Sequence, residues 1–225
     1  MRPDDRLPAV LLLTVTAVVA GSGLGPRDRL TWWLEVAPIL LAAPILVATR
    51  RRFPLTPLVY VLVAAHAAVL ALGGHYTYAE VPLGFWVRDL LGLARNHYDR
   101  LGHFMQGFVP ALVAREVLLR TSPLRRGGWL FVLTTAVVLS LSAIYELVEW
   151  GAALVLGQGA DAFLGMQGDP WDTQWDMFMC FVGAVLSQLV LAGVQDRQLA
   201  ALRRGDGASP PDATLPAPGE GSMGR

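Results

Sequence analysis

The chain has 225 residues, of which 54% are hydrophobic and 16% charged, with a formal net charge of zero. A soluble domain carries about 25% charged residues, so the composition excludes an ordinary water-soluble globule, and the balanced charge offers no basic surface for nucleic acid. The single cysteine, Cys180, excludes a disulfide framework or a thiolate metal site within one chain and reads as a buried small residue.

A run of about 20 apolar residues is what a bilayer-crossing helix needs. Six such segments are read in chain order, at residues 7–24, 31–49, 55–72, 101–119, 129–156 and 177–194. Arg2 and Arg6 precede the first, as in a signal peptide. No small-x-small cleavage site follows Val19 and further apolar segments come at once, so it reads as a retained helix. Pro38, Pro44, Pro57 and Pro110 fall within these segments, where membrane helices tolerate them. The expected fold class is therefore all-α: a polytopic membrane protein with six transmembrane helices. Residues 1–201 form the membrane domain. Residues 202–225, rich in Pro, Gly and Ser, form a tail too apolar-poor to order itself.

Every basic residue is Arg. With a cytoplasmic N-terminus, Arg50, Arg51, Arg52, Arg115, Arg120, Arg125, Arg126, Arg197, Arg203 and Arg204 fall inside. Only Arg27, Arg29, Arg88, Arg95 and Arg100 fall outside. The positive-inside rule thus puts both termini in the cytoplasm. The outer side then receives residues 73–86, 95–104 and 164–177, which hold most of the chemistry-bearing side chains.

In the fourth segment Asp99, His103, Gln106 and Pro110 recur at i, i+4, i+7 and i+11, one helix face. His103 lies about 6 Å and Gln106 about 10 Å deeper than Asp99. Asn96 as N-cap and Asp99 in the first turn suit a helix start; that role does not extend to His103 or Gln106. In the fifth segment, Glu146 and Glu149 share a flank, two turns or more below the outer end. A carboxylate there costs about 2–3 kcal/mol or more to insert and needs a partner. Trp129 and Trp150 suit the interface. The sixth segment opens with Asp169-Pro170, an N-cap followed by proline at the first helical position, with Asp172 at N3. Asp176 is a full turn beyond any capping role. Three consecutive helices therefore bring Asp99, His103, Glu146, Glu149, Asp172 and Asp176 to similar depth. So many carboxylates cannot all stay ionised without cations. Arg95 and Arg100 supply two charges. The rest falls to a divalent metal (Mg²⁺, Mn²⁺ or Zn²⁺, given oxygen ligands and one imidazole) or to protons.

Stretches 73–84 and 95–111, Arg115-Glu116, the "YELVEW" around Glu146 and the "GDPWDTQWDM" around Asp172 resemble the YjdF-type family of bacterial inner-membrane proteins, from about His66 to the end of the sixth segment. The resemblance implies an inner-membrane location and a helical membrane fold, and no activity. A weaker likeness is to VanZ-like proteins: Asp99-Arg100-x-x-His103-Phe104, then Glu146-x-x-Glu149, then Asp172 and Asp176 with Gly183-Ala184 beyond. It covers three segments and implies a shared polar site.

Three function classes fit these residues. One is a metal-assisted enzyme acting on an envelope lipid or lipid-linked glycan. In it Asp99, His103, Asp172 and Asp176 hold the metal, and Glu146 or Glu149 is the base for a water activated there. His75, Tyr76, Tyr78, Arg95, Arg100 and Gln106 bind the substrate, and His66 lines the site. Another is a proton-coupled carrier with the carboxylates as relay. The last is a structural or partner-binding membrane protein whose charges lock helices together.

Overall fold

A computed structural model describes residues 6–157 and 166–206, which form seven α-helices and no strand. The helices are α1 (Arg6–Ser22), α2 (Arg29–Thr49), α3 (Pro57–Tyr76), α4 (Pro82–Leu91), α5 (Tyr98–Thr121), α6 (Gly128–Leu156) and α7 (Asp172–Asp206), with a 3-10 turn, Tyr78–Glu80, between α3 and α4. Local chemistry sets their starts. The Asp28 carboxylate accepts from the Thr31 N–H at 2.6 Å, and Pro57 and Pro82 open α3 and α4 where a missing N–H costs nothing. Gly92 ends α4 in the left-handed region.

Four helices, α2, α3, α6 and α7, are long and apolar enough to cross a membrane. The other two of the six segments expected to span, α1 and α5, differ from these four. α1 is apolar but has 17 residues. α5, with 24 residues, is long enough but carries Asp99, Arg100, Arg115, Glu116 and Arg120. The stretch 73–86, expected as a loop, belongs mostly to the end of α3, the 3-10 turn and the start of α4. α7 begins at Asp172, not at Pro170, and Asp169 instead accepts from the Trp171 N–H at 2.9 Å. The same helix continues past the expected boundary at 201; residues 207–225, most of the expected tail, lie outside the described residues, as do 158–165.

The distribution of side chains is inverted relative to a soluble protein. Leu13, Leu41, Leu154 and Leu189 are two-thirds or more exposed, while Glu116, Gln195, Asp176 and Arg115 are buried. Trp129, Trp150, Trp171 and Trp175, near helix ends, are exposed as well, as interfacial anchors are. α5 is the central helix. It packs against α3, α6 and, most extensively, α7. α5 and α7 run parallel: Arg100 meets Asp172, and further along Arg115 meets Gln195. They approach backbone to backbone. A Cβ on Gly107 would run into the Cys180 carbonyl, and one on Gly183 into the Phe104 carbonyl, the small-residue contact by which membrane helices close on one another.

Candidate functional site

Residues 95–104 begin as a helix start. The Asn96 side chain accepts from the Tyr98 N–H at 2.9 Å and donates to the Val81 carbonyl at 3.0 Å, while the Tyr98 hydroxyl donates to the Val69 carbonyl at 3.0 Å. These bonds fix the first turn of α5 against α3 and α4. The following residues then face α6 and α7.

Arg100 is the centre of a charge cluster. It is paired with Asp176, donates to Asp172 at 2.6 Å and to Asp99 at 3.2 Å, and lies 3.4 Å from Asp169. Arg95 adds bonds to Asp169 at 2.8 Å, to Asp172 at 3.3 Å and to the Met166 carbonyl at 2.6 Å. The approach to α7 is thereby tied to the approach to α5, and the Gln167 amide donates to the Asn96 carbonyl at 2.8 Å in the same place.

One turn deeper the balance changes. His103 Nε2 lies 3.5 Å from Asp99 Oδ1 and 3.7 Å from Asp176 Oδ1, and Nδ1 lies 2.9 Å from Gln106 Oε1 and 3.8 Å from Glu146 Oε1. With its proton on Nδ1, the ring donates to Gln106 and presents a lone pair at Nε2 to two carboxylates. Like-signed lone pairs at that spacing call for a cation or a proton between them. One ligand atom each from Asp99, His103 and Asp176 lie within 4.8 Å of one another, close enough to share a metal ion. Glu146 is buried, and its Oε1 has no hydrogen-bond partner.

A cavity of about 270 Å³ adjoins this group. Its lining includes Asp99, His103, Gln106 and Pro110, the four residues expected on one face of α5, together with His66, Tyr78 and Glu149. The Tyr78 ring slots between α3 and α5 because Gly73 and Gly102 leave room for it. Burial and the neighbouring Glu35 carboxylate hold the Tyr78 phenol well above its ordinary value, so it serves as a neutral donor. Glu35 of α2 forms the far wall, with the Tyr145 hydroxyl donating to it at 3.4 Å. Leu141, Ile144 and Val148 line the α6 side and are exposed on the helix surface too, so the cavity opens toward the apolar perimeter between α2 and α6.

The structure thus brings together Asp99, His103, Glu146, Glu149, Asp172 and Asp176, all buried or nearly so. It does not bring His75 and Tyr76 to the cavity: His75 Nδ1 is 2.8 Å from the Ser22 carbonyl, with its ring edge-on to Tyr76. Arg95, Arg100 and Gln106, expected on substrate, are spent on aspartates and on His103. Asp169, expected as a cap alone, also pairs with both arginines. Glu35 and Tyr145 went unread in the sequence. The signal for Glu35 was there: an acid inside an otherwise apolar run is costly and should face a polar interior.

The sequence from residue 7 to residue 197 matches the family described as predicted membrane protein DUF2238. The chain belongs to that family. It is also 53% identical over 187 residues, 83% of this chain and 90% of the relative, to the inner membrane protein YjdF of Escherichia coli (strain K12). The family resemblance read from the motifs is therefore shown, and with it an integral protein of the bacterial inner membrane. Neither finding carries the weaker VanZ-like likeness. No solved structure matches.

Proposed function

We propose that this DUF2238 protein is a six-span inner-membrane enzyme that uses a divalent cation at an outward-facing site to act on an envelope lipid or lipid-linked glycan. The observation that carries the reading is the convergence of Asp99, His103 and Asp176 within 4.8 Å, beside the unpartnered Glu146 Oε1. Mixed carboxylate and imidazole ligands suit Mg²⁺, Mn²⁺ or Zn²⁺. Gln106 orients His103 from its other nitrogen, a usual arrangement for a metal-ligating imidazole. A cation held by Asp99, His103 and Asp176 would supply polarisation of a water or a substrate oxygen, and Glu146 stands beside that place as the base to take up the proton. Tyr78, Tyr145 and Glu35 line the wall that meets the substrate's polar part. Entry is lateral, through the apolar opening between α2 and α6, which favours an amphiphile over a water-borne substrate.

The six-span reading adds α1 and α5 to the four apolar helices. About 17 residues is the lower end of the spanning range, and α5 turns its charges inward, onto α6, α7 and the Thr56–Pro57 corner. With both termini cytoplasmic, Ala94→Cys and Ser122→Cys in a Cys180→Ser background should label with membrane-impermeant reagent from opposite faces. Labelling of both from outside would overturn the topology.

Thermal unfolding in detergent tests the cation. An ion that binds only the folded form stabilises it by about 2.7 kcal/mol at a hundredfold excess over the dissociation constant. Mg²⁺, Mn²⁺ or Zn²⁺ should give such a shift in the unmutated chain, and His103→Ala, Glu146→Gln and Asp176→Asn should reduce it together with bound metal. A bracing role is favoured by one observation, the four aspartates around Arg100. On that reading the same variants lose stability while added ions shift nothing.

A further inference from the structure

The cavity beside the cation cluster has a polar end and an apolar side. At the end marked by Asp99, Glu35 and Glu149 also line it, and the three carboxylates are near enough to repel one another. They are not equally answered. Asp99 has Arg100 at 3.2 Å and His103 at 3.5 Å. Glu35, 4% exposed, accepts from the hydroxyls of Tyr78 and Tyr145, which bring no positive charge. Glu149, 8% exposed, has no hydrogen bond or ion pair among the described residues. No Arg or Lys lines the cavity among those residues, and the sequence 158–165 contains none. Along the side, Leu141, Ile144 and Val148, at i, i+3 and i+7 of α6, are about half exposed and open the cavity to the apolar perimeter.

We propose that this cavity binds the primary ammonium group of an amphiphile, between Glu35 and Glu149, with the apolar chain leaving past Ile144 and Leu141. The inference deepens the proposed function: it rests on that substrate's lateral entry, and not on the cation at His103 and Asp176. A carboxylate at membrane depth needs a partner, and Glu149 has none of its own. An ammonium brings three donors and one positive charge, and its bonds to carboxylates are charge-assisted and strong. A phosphate in the same place would face carboxylates with no guanidinium to offset it. A neutral hydroxyl would satisfy acceptors and leave the charge unbalanced. A hydrated ion would balance the charge and leave the apolar opening without a use.

The test is thermal unfolding of the full chain in a polyoxyethylene detergent with chelator present. Dodecylammonium should raise the unfolding midpoint by about 5 °C or more at a hundredfold excess over its dissociation constant. Dodecyltrimethylammonium, which has the charge and no N–H, and dodecanol, which has no charge, should not. Added phosphatidylethanolamine and phosphatidylcholine distinguish the source. A shift with the first alone identifies a lipid headgroup as the natural ammonium, and a shift with dodecylammonium only identifies a simple long-chain amine. Glu35→Gln and Glu149→Gln should each weaken the amine about tenfold or more. Glu149 has no partner to lose, so its variant keeps the fold. Ile144→Trp, at a position exposed on the helix surface, should close the opening and abolish the shift. Asp176→Asn, which removes the divalent-ion response, should leave the amine response intact; if divalent ions shift nothing while the amine does, only the cation reading falls. Equal shifts from the alcohol or the quaternary amine overturn the proposal, as do undiminished shifts in both glutamine variants or loss of the amine response in Asp176→Asn.

Discussion

At one end of the α5–α7 pair, Glu116 is completely buried and fully answered. The Thr56 N–H and hydroxyl donate to its carboxylate at 3.1 and 2.8 Å, Arg120 at 2.8 Å and Gln195 at 3.4 Å. Arg115 donates to Gln195 at 2.9 Å and forms an ion pair with Asp196 at 2.9 Å, and Arg126 pairs with Asp196 at 3.1 Å. About 20 Å along α5, the other end holds Glu35, Asp99, Glu146, Glu149, Asp169, Asp172 and Asp176 against Arg95 and Arg100 among the described residues. The first group has more guanidinium than carboxylate; the second has a large surplus of carboxylate. Buried charge that only holds helices together is built to neutrality and full hydrogen bonding. The surplus at the other end calls for protons or a cation to offset it.

The comparison breaks first at the contact both ends share. Gly183→Leu forces the α5 and α7 backbones apart, should cost more than about 3 kcal/mol, and should abolish the monodisperse folded species in detergent chromatography. If the variant elutes and melts like the unmutated chain, the two ends are not held by that contact. A smaller effect distinguishes the ends from each other. Glu116→Gln and Arg100→Gln each remove one partner from a buried network and should each cost about 3 kcal/mol in chelator. Added divalent cation should recover part of the loss in Arg100→Gln, where surplus carboxylate remains, and none in Glu116→Gln. Equal responses in unfolding scans would show that the two networks are of one kind. The smallest effect belongs to Asp169. Serine keeps the bond to the Trp171 N–H and loses only partly exposed ion pairs, so Asp169→Ser should shift stability by less than about 1 kcal/mol.

Most of the helices and one face of the site were readable before the structure. Apolar runs mark helices in all six expected places, because hydrophobicity and length suffice for a chain that must satisfy its backbone in lipid. The four-residue face of α5 was legible because helical periodicity fixes which side chains share a side. Three things were not. Whether α5 counts as a span depends on which way its charges point, and composition alone makes it too polar. Glu35 joined the site through tertiary packing of α2, a helix with no spacing relation to α5. The cavity lined by α1, α2 and α3 depends on how α1 and α2 part over α3, and no pattern within either helix states the angle between them. Conversely, Asp169 was legible as a cap, yet α7 starts only at Asp172; one Asp169 oxygen accepts from the Trp171 N–H and the other serves Arg95, which lies 74 positions away.

The crossing of Gly107 and Gly183 gives the charged site a fulcrum. Asp176 sits seven residues from Gly183, about 10 Å along α7, and His103 four residues from Gly107, about 6 Å along α5. Side chains cannot slide past one another where two backbones touch, so relative motion of these helices is confined to tilting about that point. A tilt of 10° would move Asp176 about 2 Å relative to His103, a large change beside their 3.7 Å separation. The same tilt moves the Glu116 network in the opposite sense, and its many bonds resist.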